Sequence, residues 1–417
     1  MLEFGGGCVE GEVSPPPSKS HTHRAFFMAA LANGQSTISD PLLSDDTRAT
    51  LRAVRSIGAF AEVVPGGVKV RGGDLHAPAG TIDVANSGTT MRIFSGIASI
   101  FDSPVMITGD ESIRKRPMGP LLDALGPLGV SCTSNKGLPP VTIKGPNRGG
   151  NVKIEGNISS QFVSSLMIAS PMLEKGTEIE IRNELVSAPY VMITESMMRH
   201  FGAEVAVSKS SIHIGAGGYR PEDYKVPADF SSAAFPLVAG ALGGKVTASG
   251  LDMGDPQGDK RIIDILREAG AEVSSVNGSV TVGRSRLEAV DIDMGPTPDL
   301  FPVVAVLLST AKGTSRLYGA PQLRFKESDR IVSTVKMLMS LGADAEETDD
   351  GCIIRGKEAL EGGTVDHLDD HRIMMSAAVA SLVCKGPVRM ADTGCEAVSY
   401  PEFIGQMKNL GMRIAKY

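Results

Sequence analysis

The hydrophobic and polar positions of this chain follow one pattern that occurs six times. In each copy, a helix ends at a glycine, and alternating apolar residues on both sides of a short turn then predict a β-hairpin, as over residues 63–70 and 345–354. The leading glycines are Gly58, Gly129, Gly202, Gly270, Gly342 and Gly411. Their separations of 71, 73, 68, 72 and 69 residues span the chain, so we interpret the pattern as an internal repeat.

Each copy also contains a second helix that is apolar on nearly every face and is therefore predicted to be buried. The sequence predicts these helices over residues 89–100, 161–173, 231–242, 300–311 and 372–384. First helices, such as residues 259–269, carry charges on one side and are predicted to lie at the surface. Because a strand leads into each second helix and a glycine-led strand follows it, the unit is βαβαββ in cyclic order.

The two ends of the chain hold incomplete copies of this unit. The last copy stops after residues 412–417, without its second hairpin strand or second helix, and the first copy begins with a strand over residues 9–13. Either the N-terminal strand completes the C-terminal unit, which places both termini in one domain, or the terminus is frayed. At 417 residues the chain is too long for one hydrophobic core, so two or three domains are expected.

Composition and charge exclude several classes of protein. With 41 Lys and Arg against 48 Asp and Glu, the formal charge is −7, and tryptophan is absent, which argues against a nucleic-acid binder. A hydrophobic content of 42% argues against disorder. The five cysteines form no C-x-x-C pair, and neither a secretory signal nor a membrane-spanning stretch is visible. We therefore expect a cytoplasmic protein with no disulfide framework, zinc cluster or membrane partner.

Polar and basic residues gather at the predicted starts of the second helices. They are Lys19 and Ser20, followed by residues 86–89, 159–161, 229–232, 298–299 and 370–372. Serine, aspartate and asparagine at such positions are typical N-caps. Capping does not require cations in the first turns, where they oppose the helix dipole but complete an anion site. Such cations are Lys19, Arg24, Arg92 and Arg372, and together they would suit a substrate with more than one phosphate or carboxylate.

Two further charged runs lie outside these helix starts. Residues 114–117 (RKRP) precede a helix predicted to begin near Met118, and residues 324–330 (RFKESDR) lie at the entrance to another helix. Charged runs are usually solvated faces, but Lys326 and Glu327 could act as acid or base beside groups that hold anions. His367 and His371 have the spacing of metal ligands on a helix. However, Asp370 is the predicted N-cap, so His367 precedes the helix and does not share a face with His371, and no metal site is expected.

Eight motifs carry a resemblance to a known family. In chain order they are PPPSKSHTHRA, NSGTTMR, RKRPMGPLLDAL, ISSQFVSSLM, LVSAPY, TPDLFP, LRFKESDR and DDHRIMM. The motifs occur in the same order as in the 5-enolpyruvylshikimate-3-phosphate synthase family, which the chain resembles over essentially its whole length. The resemblance implies an α/β fold of two similar domains, each an inside-out α/β barrel of three βαβαββ units with buried helices inside mixed sheets. It implies one domain of residues 1–16 and 227–417, a second of residues 17–226, and an active site in the cleft between them.

The resemblance also implies a reaction, in chorismate and aromatic amino-acid biosynthesis. The carboxyvinyl group of phosphoenolpyruvate is transferred to the 5-hydroxyl of shikimate 3-phosphate; the hydroxyl loses a proton, the enol methylene gains one, and the tetrahedral intermediate then eliminates phosphate. Asp299 matches the family's hydroxyl-side base, and Lys19 matches the lysine between the reacting groups. Lys326 and Glu327 match residues implicated in proton transfer. No cofactor and no metal are expected, and a monomer is expected.

Two sets of binding residues follow from the same resemblance. For phosphoenolpyruvate they are Lys19, Gly88, Arg116, Gln161, Arg330 and Arg372. For shikimate 3-phosphate they are Ser20, Arg24, Ser159, Ser160, Gln161, Ser187, Tyr190, Asp299, Gln322 and Lys326.

The chain departs from the family pattern at two positions. Val398 stands where a lysine is common, so one phosphate-site cation is either missing or supplied elsewhere, and Gln322 stands where an asparagine is common. Gly88 is unsubstituted, so the phosphoenolpyruvate pocket is expected to admit glyphosate, the family's inhibitor. Two alternatives stay open. They are enolpyruvyl transfer to a UDP-amino sugar, by the related enzyme that shares the repeat architecture, and a non-catalytic anion-binding relative.

Overall fold

The computed structural model describes residues 1–417 and divides into two compact units. Unit 1 comprises Met1–Pro16 and Ala228–Tyr417, and unit 2 comprises Pro17–Pro227. Each unit contains three four-stranded sheets and its own hydrophobic core. Three copies of the repeat therefore build each unit.

The helices have the following bounds. Unit 2 contains α1 Lys19–Leu31, α2 Asp45–Ser56, α3 Gly88–Ala98, α4 Gly119–Leu125, α5 Ser160–Ala169 and α6 Pro189–His200. Unit 1 contains α7 Phe230–Gly243, α8 Ile262–Glu268, α9 Phe301–Leu308, α10 Arg330–Ser340, α11 His371–Ala380 and α12 Phe403–Asn409. Short 3₁₀ turns lie at Ile113–Lys115, Gly126–Leu128, Ser170–Met172, Gly258–Arg261, Pro298–Leu300, Pro321–Phe325, Ser381–Val383 and Cys395–Val398.

The strands number twenty-four. From the N-terminus to the end of unit 2 they are β1 Leu2–Gly5, β2 Val9–Val13, β3 Gly34–Ser39, β4 Phe60–Val64, β5 Gly67–Gly72, β6 Ile82–Asp83, β7 Val105–Thr108, β8 Ser131–Asn135, β9 Leu138–Lys144, β10 Gly150–Glu155, β11 Thr177–Arg182, β12 Val205–Val207, β13 Ser211–Ile214 and β14 Tyr224–Lys225. The remainder are β15 Gly244–Ala248, β16 Glu272–Val276, β17 Ser279–Gly283, β18 Ile292–Asp293, β19 Thr314–Tyr318, β20 Asp344–Thr348, β21 Gly351–Arg355, β22 Gly363–Thr364, β23 Val388–Met390 and β24 Arg413–Lys416.

All six sheets share one pairing scheme, which consists of one parallel pair followed by two antiparallel pairs. In unit 2 the orders are β14-β3-β5-β4, β6-β7-β9-β8 and β10-β11-β13-β12. In unit 1 they are β2-β15-β17-β16, β18-β19-β21-β20 and β22-β23-β1-β24. The predicted hairpins over residues 63–70 and 345–354 are confirmed as β4–β5 and β20–β21.

The N-terminal segment is paired along its length and is not frayed. Strand β1 pairs antiparallel with both β23 and β24, so it completes the sheet of the last repeat. Strand β2, which the sequence analysis placed at residues 9–13, pairs instead in parallel with β15 of the fourth repeat. The first residues of the chain thus supply strands to two sheets of unit 1.

The predicted burial of the second helices is confirmed. All fourteen residues of α7 and all eight of α9 are buried, and α1, α3, α5 and α11 are buried over nearly their whole length. The helices near residues 300–311 and 372–384 are shorter than predicted. Helix α9 ends at Leu308 in a turn, and the 3₁₀ turn Ser381–Val383 follows the end of α11. The first helix predicted over residues 259–269 begins with a 3₁₀ turn, in which Lys260 N bonds to Gln257 O, and becomes α-helical only at Ile262.

The six leading glycines all have positive φ angles, between 77° and 108°. This is the left-handed conformation that ends a helix, and a residue with a Cβ adopts it rarely. At Gly58 a Cβ would in addition lie 2.3 Å from the backbone oxygen of Asp74. The repeat spacing seen in the sequence therefore marks the helix ends. No helix of the structure has the length and apolar character required to cross a bilayer.

Candidate active site

In unit 1, basic side chains from three elements converge on Asp299. This residue lies in the 3₁₀ turn before α9, and its Oδ2 accepts a hydrogen bond from Arg372 Nη2 at 2.9 Å. Its Oδ1 accepts from Arg330 Nη1 at 3.0 Å and from Lys326 Nζ at 3.4 Å. Arg372 belongs to the first turn of α11 and Arg330 to that of α10. The structure thus brings together four residues that the family resemblance had assigned to two different substrates.

Arg330 is the centre of this ion cluster and is only 1% exposed. Besides Asp299, it donates through Nε to Asp370 Oδ2 at 3.0 Å and through Nη2 to Glu327 Oε2. Asp370 caps α11 as predicted, because its Oδ1 accepts from Arg372 N at 3.0 Å. Burial would lower the pKa of Arg330, but the surrounding carboxylates of Asp370, Glu327 and Asp299 outweigh it and raise the pKa. Arg330 is therefore permanently charged.

The charge state of Asp299 follows from the same contacts. Burial alone would raise the pKa of this carboxyl, but Arg372, Lys326 and Arg330 together hold the pKa well below its usual value. Asp299 is therefore ionised, and in this arrangement it is a weak base. Any anion that engages the same cations weakens their field at Asp299 and moves its pKa upward.

A second carboxyl of unit 1, Asp259, has the opposite behaviour and was not recognised in the sequence analysis. It is 4% exposed; its Oδ2 accepts a hydrogen bond from Ser231 Oγ, and its Oδ1 has no hydrogen-bond partner. Burial and the negative charges of Asp299 and Asp229 raise its pKa to about 7, although Ser231 and Arg372 act against this. In the sequence, an aspartate in the first turn of a helix is indistinguishable from one that simply complements the helix dipole.

Gln322 does not join the ion cluster through its hydrogen bonds. Its Nε2 donates to the backbone oxygen of Gly295 at 3.1 Å, and its Oε1 is buried without a partner. Val398 ends the 3₁₀ turn Cys395–Val398, which packs against α11. Neither His367 nor its neighbours form a cluster of metal ligands, since His367 Nε2 lies 3.1 Å from Ala391 O and its Nδ1 accepts from Asp369 N at 3.1 Å.

In unit 2, a cationic site surrounds the first turn of α3. A Cβ on Gly88 would lie 2.5 Å from Arg116 Nη1 and 3.6 Å from Arg92 Nη1, so both guanidinium groups face this glycine. Arg116 Nη2 also donates to Asn86 Oδ1 at 3.2 Å. Gln161, at the start of α5, accepts from Arg92 Nη1 at 2.6 Å and donates to Thr89 Oγ1 at 3.0 Å. Because a helix N-terminus and two guanidinium groups meet here, the site can hold a phosphate or carboxylate.

Lys19 begins α1 and has an acidic partner in the neighbouring helix. Its Nζ lies 3.1 Å from Asp46 Oδ2, and both side chains are largely buried, at 17% and 8% exposure. Asp46 belongs to the first turn of α2, where a carboxylate is favoured by the helix dipole. Nothing in the sequence links Asp46 to Lys19, because the two residues lie 27 positions apart.

Arg24 is buried beneath the start of α1 at 1% exposure. Its Nη1 donates to Ser20 O at 2.9 Å, and its Nη2 donates to Tyr190 O and Ser164 Oγ, both at 3.2 Å. Its Nε donates to Thr194 Oγ1 at 2.8 Å. Burial lowers the pKa of Arg24 to about 10, which leaves it charged at neutral pH. These four hydrogen bonds use most of the N–H donors of Arg24 within the protein.

Three predicted serines lie at or just before the starts of helices α5 and α6. Ser159 caps α5 and accepts from Gln161 N at 3.3 Å, and Ser160 is the first residue of α5. Ser187 lies in the left-handed region with φ of 54°, and its backbone oxygen accepts from Tyr190 N at 3.1 Å. N-capping thus explains Ser159, whereas the conformation of Ser187 has no explanation in its hydrogen bonds.

The sequence and the fold were compared with known proteins. The sequence profile of the EPSP synthase (3-phosphoshikimate 1-carboxyvinyltransferase) family matches residues 5–407. The chain belongs to this family. The 3-phosphoshikimate 1-carboxyvinyltransferase of Methanocorpusculum labreanum is 50% identical over 407 residues, which cover 97% of this chain and 96% of that protein. The corresponding protein of Methanosarcina acetivorans is 42% identical over 419 residues, with 97% and 96% coverage.

Solved structures of the EPSP synthase family have the same fold. An EPSP synthase structure from Acinetobacter baumannii superposes with a TM-score of 0.82 at 29% identity, covering 100% of this chain and 99% of that one. A second structure of the Acinetobacter baumannii enzyme gives a TM-score of 0.83 at 28% identity. The predicted α/β class, with helices buried inside mixed sheets, is confirmed.

Proposed function

We propose that this protein transfers the carboxyvinyl group of phosphoenolpyruvate to the 5-hydroxyl of shikimate 3-phosphate and releases phosphate. Membership of the EPSP synthase family supports the reaction class. The observation that carries the proposal is the ion cluster at Asp299, in which an ionised carboxylate is held by Arg372, Arg330 and Lys326. Such a cluster contains both the cations that an anionic substrate requires and a carboxylate that can accept a proton.

Substrate binding would convert Asp299 from a weak base into a stronger one. The carboxylate of phosphoenolpyruvate competes with Asp299 for Arg372 and Arg330, and the positive field at Asp299 decreases as the anion binds. The pKa of Asp299 then rises toward its ordinary value. Asp299 accepts the proton of the 5-hydroxyl while the hydroxyl oxygen forms its bond to the enol carbon. This proton passes to the phosphate when it departs, so phosphate is released as hydrogen phosphate and Asp299 is ionised again.

A second proton has to reach the methylene carbon in the same step. Lys326 and Glu327 are the candidates, because both contact the ion cluster and neither is fully buried, at 28% and 19% exposure. One of them donates a proton to the methylene carbon and gives the tetrahedral intermediate. It takes a proton back from the same carbon when the bond to phosphate breaks, which restores the double bond and leaves the group unchanged.

The remaining residues are proposed to bind the two substrates. Lys19, Gly88, Arg116 and Gln161 would hold phosphoenolpyruvate together with Arg330 and Arg372, and Lys19 would also stabilise charge that develops during the transfer. Shikimate 3-phosphate would contact Ser20, Arg24, Ser159, Ser160, Gln161, Ser187, Tyr190, Asp299, Gln322 and Lys326. The internal bonds of Arg24 imply that it acts mainly by its charge and by fixing Ser20.

Phosphate release with alternative acceptors tests this function. The purified protein is incubated with phosphoenolpyruvate plus shikimate 3-phosphate, with phosphoenolpyruvate plus UDP-N-acetylglucosamine, and with phosphoenolpyruvate alone. We expect phosphate and an enolpyruvyl product, detected by mass, only with shikimate 3-phosphate. Asp299→Asn should abolish turnover while the protein stays folded. The proposal would be overturned if phosphate were released with UDP-N-acetylglucosamine and not with shikimate 3-phosphate. It would also be overturned if neither acceptor led to phosphate release.

Glyphosate sensitivity, oligomeric state and location are further parts of the proposal. Because Gly88 has no side chain, the Arg116 guanidinium group lies directly beside it, where an anionic inhibitor could contact this cation. Glyphosate should therefore compete with phosphoenolpyruvate. A rate that is unchanged at saturating glyphosate would contradict this expectation. We propose that the protein is a monomer and that it is cytoplasmic, a compartment in which free cysteines stay reduced. Light scattering should then give a mass near 43.7 kDa.

A further inference from the structure

His23 is a fully buried histidine of α1 for which the proposed function has no role. Its ring Nδ1 lies 2.6 Å from Thr50 Oγ1, which belongs to α2. Its ring Nε2 is buried and has no hydrogen-bond partner. A buried polar ring is unfavourable unless its hydrogen bonds contribute to the fold or the function, so the partners of His23 are informative.

Thr50 begins a chain of hydroxyl groups that leads from His23 to the cationic site around Gly88. Thr50 Oγ1 lies 2.7 Å from Thr90 Oγ1, and Thr90 Oγ1 lies 2.6 Å from Ser87 Oγ. Ser87 caps α3 by accepting from Thr90 N at 3.2 Å, and the next residue is Gly88. All four residues that form this hydrogen-bond chain, from His23 to Ser87, are fully buried. Three helices are therefore connected by one hydrogen-bond chain.

The direction of this hydrogen-bond chain follows from His23 Nε2, which has no hydrogen-bond partner. A neutral imidazole carries one N–H group, and an N–H at Nε2 would be a buried donor without an acceptor. The proton therefore lies on Nδ1 and is donated to Thr50 Oγ1. Burial, together with the positive charges of Lys19 and Arg24, lowers the pKa of His23 well below 6.5, so the ring is neutral at physiological pH. The Thr50 hydroxyl is then free to donate to Thr90.

We propose that His23 is a positioning residue for anion binding at the first turn of α3. By donating to Thr50, it orders the hydroxyl chain and thereby holds Ser87 and Gly88 against Arg116. The inference rests on the proposed function, since the anion in question is phosphoenolpyruvate. His23 itself contacts no substrate, and the hydroxyl groups of Thr50, Thr90 and Ser87 carry its effect to the cationic site.

A double-mutant cycle tests this role. His23→Leu removes the donor at similar volume, and Thr50→Val removes the next hydroxyl without a change of shape. Each should raise the KM for phosphoenolpyruvate about three- to tenfold, the equivalent of one hydrogen bond, with kcat and the KM for shikimate 3-phosphate within about twofold of wild type. The double variant should be no worse than either single variant, because both break the same chain. His23→Asn, which restores a donor, should recover most of the affinity.

The control is Tyr219→Phe, which removes another buried hydrogen bond of unit 2, from Tyr219 Oη to Ile168 O at 2.9 Å. It should lower the melting temperature without a change in either KM. An unchanged phosphoenolpyruvate KM in both single variants, or strictly additive effects, would overturn the role of His23. If His23→Leu does not fold, Thr50→Val and His23→Asn decide the question. A wild-type protein without turnover would instead refute the proposed function.

Discussion

The guanidinium group of Arg372 donates hydrogen bonds to both the side chain and the main chain of Asp299. Arg372 Nη2 donates to Asp299 Oδ2 at 2.9 Å, and Arg372 Nη1 donates to Asp299 O at 3.2 Å. Both side chains are largely buried, at 6% and 17% exposure. One guanidinium group therefore fixes the position of the proposed base and contributes to the depression of its pKa.

Arg372→Ala should raise the KM for phosphoenolpyruvate about tenfold or more, because a charge-assisted contact to the substrate carboxylate is lost. The same change removes a cation that lowers the pKa of Asp299, so the acidic limb of the kcat/KM profile should move to higher pH. Steady-state kinetics across pH measure both effects. Arg355→Ala is the control, since Arg355 pairs with Asp344 on an exposed hairpin. An unchanged KM would remove Arg372 from the phosphoenolpyruvate site.

Gly88→Ala should weaken phosphoenolpyruvate binding without unfolding the protein. The new Cβ would lie 2.5 Å from Arg116 Nη1, which is the end of a flexible side chain, so the guanidinium group must move. We expect a phosphoenolpyruvate KM about three- to tenfold higher, a larger loss of glyphosate inhibition and a nearly unchanged melting temperature. Gly126→Ala, where a Cβ meets no atom within 4 Å, is the matched control. A wild-type KM in Gly88→Ala would show that Arg116 is not needed there.

Asp259→Asn should change how stability depends on pH. In the folded protein the pKa of Asp259 is raised from 3.8 to about 7, so the folded state holds a proton that the unfolded chain has already released. The free energy of unfolding therefore decreases as pH rises from about 4 to about 7. The Asn variant lacks this decrease and should be the more stable protein at pH 8, by about 1 kcal/mol or more. Urea unfolding at pH 5 and pH 8 measures the difference, and equal pH slopes for both proteins would contradict it.

His23 should affect stability in the opposite direction. Its pKa is lowered by burial, Lys19 and Arg24, so the unfolded chain takes up a proton near 6.5 that the folded protein does not bind. Stability is complete above about pH 6.5 and decreases as pH falls from there toward the lowered pKa. Urea unfolding should show this decrease in the wild type and a smaller one in His23→Asn. His213→Asn, which changes an exposed side chain of strand β13, serves as control and should retain the wild-type slope.

Much of the fold was predictable because its determinants are local. The period of about 70 residues, the glycines at the helix ends and the apolar second helices are all visible within short windows, since helix ends and periodicity depend on neighbouring residues. The destination of the N-terminal strands was not local. Leu2–Gly5 pairs with strands about 400 positions away, and this pairing was not predicted. The strand expected to complete the C-terminal unit was residues 9–13, which pairs with β15 instead.

The contacts within the ion cluster were not predictable from the sequence. The motifs marked Asp299, Lys326, Arg330 and Arg372, but not that the two arginines and the lysine bond to the same carboxylate. Gln322 was expected among the shikimate 3-phosphate residues, yet its amide hydrogen-bonds to Gly295. No short window indicates such partners, because they come from different repeats or different turns.

By itself, the sequence determined the repeat, the order of the elements and the residue types that can hold anions and carry protons, because these depend on near neighbours and on side-chain chemistry. Only the tertiary structure decided which side chains are charged and which hydrogen-bonding atoms are buried. It made Asp299 ionised, gave Asp259 a pKa of about 7, and buried His23 as a neutral donor. The reason is physical: a pKa depends on burial and on charges within a few ångströms, and folding sets both by bringing distant parts of the chain together.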